Sequence, residues 1–163
     1  MDDRLPLSLG LTEEDERFFH SLGSEDDVGV ILRVHLHCER ILKRLLEKHA
    51  SNPETLGKVR LAFMGRVYLL HAFGLIDGNT VSRMHWLDSI RNELSHQIDR
   101  ELSEADYLRL LDASGPQSRD TILSTNSLEK SANPGALIRN ALFFWRNNLK
   151  AAADRASVPA AGP

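Results

Sequence analysis

The sequence has a single cysteine, Cys38, among 163 residues. One thiol excludes a disulfide framework and any cysteine-built zinc site within one chain. A basic excess is also missing, since 20 Lys and Arg stand against 23 Asp and Glu for a formal net charge of -3. That balance argues against a dedicated duplex-DNA binder, whose affinity comes largely from cationic contacts to phosphate, but leaves room for a local basic site. No apolar run reaches the length of a membrane span. The acidic start Met1-Asp2-Asp3 leads into nothing like a signal peptide, so a soluble cytoplasmic protein is expected. Strand-like alternation is nearly absent, and no internal repeat or helix-turn-helix with a basic recognition helix stands out. Nor do Asp and Glu cluster in the manner that gathers magnesium ions, so neither a metal nor a cofactor is expected.

What is present is helical periodicity. Thr12, followed by Glu13, Glu14 and Asp15, predicts a capped short helix running through Phe18 and Phe19 to Gly23. Ser24 with Glu25, Asp26 and Asp27 opens a long helix to about His49, and its stripe of Val30, Ile31, Val34, Cys38, Ile41, Leu42, Leu45 and Leu46 marks a buried side. A third helix is predicted from Pro53 to Phe73, with Leu56, Val59, Phe63, Val67 and Leu70 inward. Gly74 ends it, a tight connection follows, and Thr80 caps a fourth helix from Val81 to Ile98. Ser103-Glu104-Ala105-Asp106 starts a short helix to Leu111, Ala113 to Asn133 reads as loop or weak helix, and Ala136 to Arg155 forms the last helix. The expectation is an all-α, compact bundle of five to six helices. Residues 1–23 would be an amino-terminal extension with a short helix, 24–156 the helical domain, and 157–163 a disordered tail.

The fourth helix carries the residues with chemistry: Arg91-Asn92-Glu93-Leu94-Ser95-His96. At about 100° per residue, Leu87, Ile90, Leu94 and Ile98 form its core stripe, while His85, Ser89, Asn92 and His96 line the opposite side and Arg91 and Ser95 flank that row. Arginine forks onto phosphate oxygens and stabilises charge in a transition state. Histidine titrates near neutrality as acid or base, and asparagine orients phosphate or ribose. Together they suit metal-free cleavage of RNA, with Arg91 and His96 catalytic and Asn92 orienting. One histidine does not serve both sides of the phosphorus easily, so a two-fold homodimer supplying His96 twice belongs to the reading, with His85 the rival second group. The competing reading is structural: polar helix faces carry Arg, Asn and His for solubility or to cap neighbouring helix ends.

The motif Arg91-Asn92-x-x-x-His96 in a small all-α protein resembles the HEPN superfamily (higher eukaryotes and prokaryotes nucleotide-binding). The stretch from Leu56-Gly57-Lys58-Val59 through Phe73-Gly74-Leu75-Ile76 to His96 is similar to the mannitol operon repressor family, and Glu39 midway along the long helix fits that pattern. The resemblance covers about residues 25 to 110. It implies a HEPN-type bundle that dimerises through its Arg/His helices, and a metal-independent endoribonuclease of the toxin or defence kind, for which an antitoxin partner is natural. Two departures stand against a direct transfer of activity. Ile98 occupies the place where one toxin branch has tyrosine, and the repressor branch is named for transcriptional regulation, implying a transcription-factor partner instead.

Other residues have plainer expectations. His35 and His37 point to different sides of their helix and do not share a metal. His35 and Glu39, four apart, form a helix-stabilising pair or a buried hydrogen bond, or Glu39 reaches across to fix the rotamer of Arg91. Cys38 belongs to the core, and Trp86 and Trp145 pack, stack bases or meet a partner. Arg139, Arg146, Lys150 and Arg155 give the last helix a solvated basic side.

Overall fold

The computed structural model describes residues 12–23, 25–97, 100–126 and 133–156. Ser24, Ile98 and the tail 157–163, each assigned a role above, lie outside them. Eight helices run through the described residues, and no strand occurs among them. They are α1 (Glu13–Gly23), α2 (Asp27–His49), α3 (Pro53–Leu56), α4 (Phe63–Ala72), α5 (Gly78–His96), α6 (Glu104–Ser114), α7 (Pro116–Asn126) and α8 (Pro134–Arg155). The all-α expectation holds, while the count of five to six is too low for two reasons.

First, the predicted third helix is broken. Gly57 closes α3, and the amides of Lys58 and Val59 turn back onto the Thr55 and Leu56 carbonyls at 3.1 and 3.2 Å. Val59, expected inward, is half exposed, because the helical phase that would have buried it is lost at the glycine. Second, the stretch read as loop or weak helix contains the helix α7, which falls outside that count because it buries only Ile122 and Asn126 and so shows no apolar stripe in the sequence.

Side chains that answer orphan amides set the helix starts. Thr12 and Asp15 exchange bonds at the head of α1, the Thr12 amide donating to Asp15 Oδ2 at 3.0 Å. Asp26 accepts from the Gly29 amide at 2.7 Å, Ser103 and Asp106 form a capping box, and Asn133 accepts from the Ala136 amide at 2.9 Å. The predicted cap Thr80 is corrected to Asp77, whose Oδ1 accepts from the Thr80 amide at 2.7 Å, leaving Thr80 buried in the first turn of α5. Between α4 and α5 the chain reverses through Gly74 at φ +69, with the Leu75 amide on the Leu70 carbonyl at 3.0 Å, a turn that closes a helix only through a left-handed residue.

The long helix α2 is the axis, packed against α8, α5, α4 and α1. Its Ile31, Val34, Cys38 and Leu42 are fully enclosed, and burial pushes the Cys38 thiol up to about 12. Trp86 on α5 meets Trp145 on α8 edge to face, centroids 5.6 Å apart. Helix α1 is part of this core: Phe18 and Leu22 are buried in it. Its Asp15 bonds the Arg146 guanidinium and accepts from Lys150 at 2.9 Å. The expected solvated basic side of α8 is therefore corrected at Arg146, which is 2% exposed and also covers the Phe18 ring at 4.8 Å. Arg155 does face solvent.

Candidate functional site

Helix α5 turns Leu87, Ile90 and Leu94 into the core, as the periodicity predicts, and presents His85, Asn92, Ser95 and His96 to solvent with Ser89 half-buried. Among the described residues, the side chains of His85, Asn92 and His96 take no hydrogen-bond partner. The Ser95 hydroxyl donates to the Asn92 carbonyl at 2.9 Å, a local bond within the helix. His96 is the last residue of α5, at the end where the helix dipole favours a cation.

Arg91 stands apart from that row. Its side chain is 34% exposed, and Nη2 donates to Asp88 Oδ1 at 3.3 Å, one helical turn back. The same Asp88 oxygen lies 3.2 Å from His35 Nε2 on α2, and the His35 ring packs on Phe63 of α4 with centroids 4.1 Å apart. Three helices therefore fix the carboxylate that holds Arg91. Burial pulls the His35 imidazole below its usual range; the Asp88 hydrogen bond acts the other way, and the charge of Arg91 lowers it again.

Glu39 does not reach Arg91. It accepts from Arg66 Nη1 of α4 at 2.6 Å, so the expected Glu39–Arg91 contact is replaced by a bridge that clamps α4 to α2. Nor does Glu39 hold His35, whose partner is Asp88. Glu93, inside the motif, accepts from Arg100 at 2.7 Å and Arg109 at 3.2 Å, chiefly the latter holding its carboxyl below the usual range. Its work is to join α5 to α6. His37 turns to the Phe18 ring at 4.1 Å, away from His35. Among the described residues no three His, Cys, Asp or Glu side chains are placed to hold a metal ion.

The structure thus brings Arg91 together with Asp88 and His35, and leaves Asn92 and His96 on the outer face. Five residues at about 100° each put His96 roughly 140° around the helix from Arg91. Within one protomer the guanidinium and the imidazole diverge. Arg91 keeps donors free for an oxyanion, and the His96 imidazole of the same protomer does not face them. Sequence reasoning missed Asp88 and paired His35 with Glu39 instead. Asp88 carried a local signal, an acid three residues before a base on a helix; its contact with His35, on a different helix, carried none.

Beside this cluster on α2, Leu36 is 62% and Leu32 42% exposed, one turn apart. Both lie within about 100° of His35 on the side also taken by Glu39, so apolar surface adjoins the polar site. Compared with family models, with curated proteins and with solved structures, the chain finds no match.

Proposed function

We propose that this protein is a HEPN-type, metal-independent endoribonuclease whose site is completed between two copies of the chain. The observation that carries the reading is the anchoring of Arg91. A buried histidine and a half-buried aspartate hold its guanidinium at the surface, which lowers the ordering cost of gripping a phosphate. The divergence of Arg91 and His96 within one protomer gives the dimer its chemical purpose: the imidazole that faces Arg91 comes from the other copy. The exposed Leu32 and Leu36 supply apolar area for that contact. In this arrangement Arg91 neutralises phosphate charge, Asn92 holds the ribose or phosphate, and His96 moves the proton of the 2′-hydroxyl or the leaving oxygen.

A second reading rests on Asp88. A carboxylate on Arg91 competes with phosphate for the same donors, and that arrangement suits a non-catalytic regulator that works through protein contacts, as the resemblance to the mannitol operon repressor family implies. The two readings part in one experiment. Purified protein is incubated with mixed RNA in EDTA, beside His96→Ala and Arg91→Ala, and the oligomeric state is measured by light scattering. Cleavage to 2′,3′-cyclic phosphate ends by a dimer, lost in both variants, is the expected result. Intact RNA from a folded dimer removes the nuclease and leaves the regulator.

A further inference from the structure

One cavity is remote from Arg91. It has a volume of about 660 Å³ and lies where the α4–α5 turn, α7 and α8 meet. Arg83 on its wall is eight residues from Arg91, about 12 Å along the axis of α5. Arg83 is 9% exposed, yet no carboxylate pairs with it among the described residues. Its Nε and Nη2 donate to the Ser114 carbonyl at 3.2 and 2.9 Å, and Nη2 also donates to Ser118 Oγ at 2.6 Å. All these acceptors are neutral, and Nη1 has no acceptor among the described residues. Asp77, in the same lining, acts on Arg83 through space but forms no ion pair with it among the described residues, and an anion entering the cavity would supply the directly bonded counter-charge that this guanidinium lacks.

The remaining walls favour the same occupant. Arg155 stands in the lining with no ion pair among the described residues. Asp77, the single carboxylate of the lining, is turned onto the Thr80 amide at 2.7 Å, so two guanidinium groups against one carboxylate leave a positive excess. Gln117 and Ser118 belong to the first turn of α7, which follows Gly115 and so has no capping side chain there. Amide hydrogens and the positive end of the helix dipole are gathered at that turn. Donors from α5, α7 and α8 thus line one cavity, which suits the several oxygens of a phosphate. Leu75, Ile76 and Phe144 add an apolar wall. The volume lies within the range of small-molecule sites, about 300–1,000 Å³, and far exceeds a bare ion.

We infer that this cavity binds a small phosphorylated molecule, its phosphate held by Arg83, Ser118 and Arg155 and its remainder lying on Phe144 and Leu75. The site is independent of the RNA reading, since it shares no residue with the Arg91 cluster. Calorimetric titration of the full chain with AMP, ribose 5-phosphate and inorganic phosphate, beside adenosine and ribose, tests it. AMP or ribose 5-phosphate is expected to bind at least about tenfold more tightly than its unphosphorylated counterpart and than inorganic phosphate. Arg155→Gln, at an exposed position without an ion pair among the described residues, is expected to weaken that binding by about threefold or more without lowering the melting temperature of the free protein. Arg83→Lys keeps the charge but loses the fork, and is expected to weaken it further. No binding of either phosphorylated probe at about 10 mM overturns the inference. So does binding that is unchanged in Arg155→Gln, or inorganic phosphate binding as tightly as its esters.

Discussion

At the scale of single residues, His35 is where opposing forces meet. Burial disfavours its protonated form, the Asp88 carboxylate favours it, and the Arg91 guanidinium disfavours it again, with burial the largest effect and the imidazole left below its usual range. His37 is lowered in the same sense, by burial first and then by Arg146 and Arg40. The unfolded chain takes up these protons near pH 6.5, and the native state does so only at lower pH. The neutral imidazoles therefore contribute stability in full above about pH 6.5, and it is lost as pH falls through the lower folded values. The urea midpoint is expected to drop between about pH 7.5 and about pH 5.5, and His35→Gln, which keeps a polar group toward Asp88, to remove part of that drop. Equal slopes in the two proteins would refute this. The site itself was half legible at this scale. Arg91, Asn92 and His96 could be placed around α5 from the helical period alone, since 3.6 residues per turn fixes direction. What fixes Asp88 beside Arg91 could not, because His35 is 53 residues from Asp88 and only the packing of α2 on α5 brings them together.

Helices whose buried side repeats regularly were readable, and those secured by a few long-range polar bonds were not. The α2 stripe predicts its helix because Val30 to Leu46 fall on one side, and the structure buries every one of them but Ile41, which is partly buried. Across residues 57–62 the same rule misleads: Leu56, Val59 and Phe63 keep helical spacing, while Gly57 ends the helix. Helix α7 depends on Ser118 against Arg83 and on Asn126, which donates to the Tyr107 hydroxyl at 2.9 Å, contacts that no local pattern announces. Gly115 sets its direction. Its φ of +76 turns the chain from α6 into α7, and a Cβ there would lie 2.7 Å from Asn79 Oδ1. Gly115→Ala is expected to cost about 1–2 kcal/mol through backbone strain alone, with the Asn79 contact adding to it. Gly78→Ala, where a Cβ meets nothing within 4 Å, is the control expected to be near neutral. Urea denaturation of the two variants beside the parent decides the matter, and equal effects would reject the role given to Gly115.

For the molecule as a whole, one ion-pair cluster joins the buried Phe18 and Leu22 in tying α1 to the bundle. Burial alone would raise the Asp15 carboxyl, but the Thr12 hydroxyl, Lys150, the Thr12 amide and Arg146 together hold it well below the usual carboxylate range. A carboxyl lowered in the folded state stabilises it above the unfolded value near pH 3.9, and that contribution disappears as pH falls through the folded value. Asp15→Asn leaves Arg146 charged at 2% exposure, so a loss of about 3–5 kcal/mol is expected in chemical denaturation. A loss below about 1 kcal/mol would place the pair among surface bridges. The tryptophan pair bears on all such measurements. Trp86 and Trp145 are the chain's only indoles and both are shut away from water where α5 meets α8. Intrinsic fluorescence therefore reports the opening of that single seam, and a probe on α1 would be needed to see the amino-terminal helix detach before the seam parts.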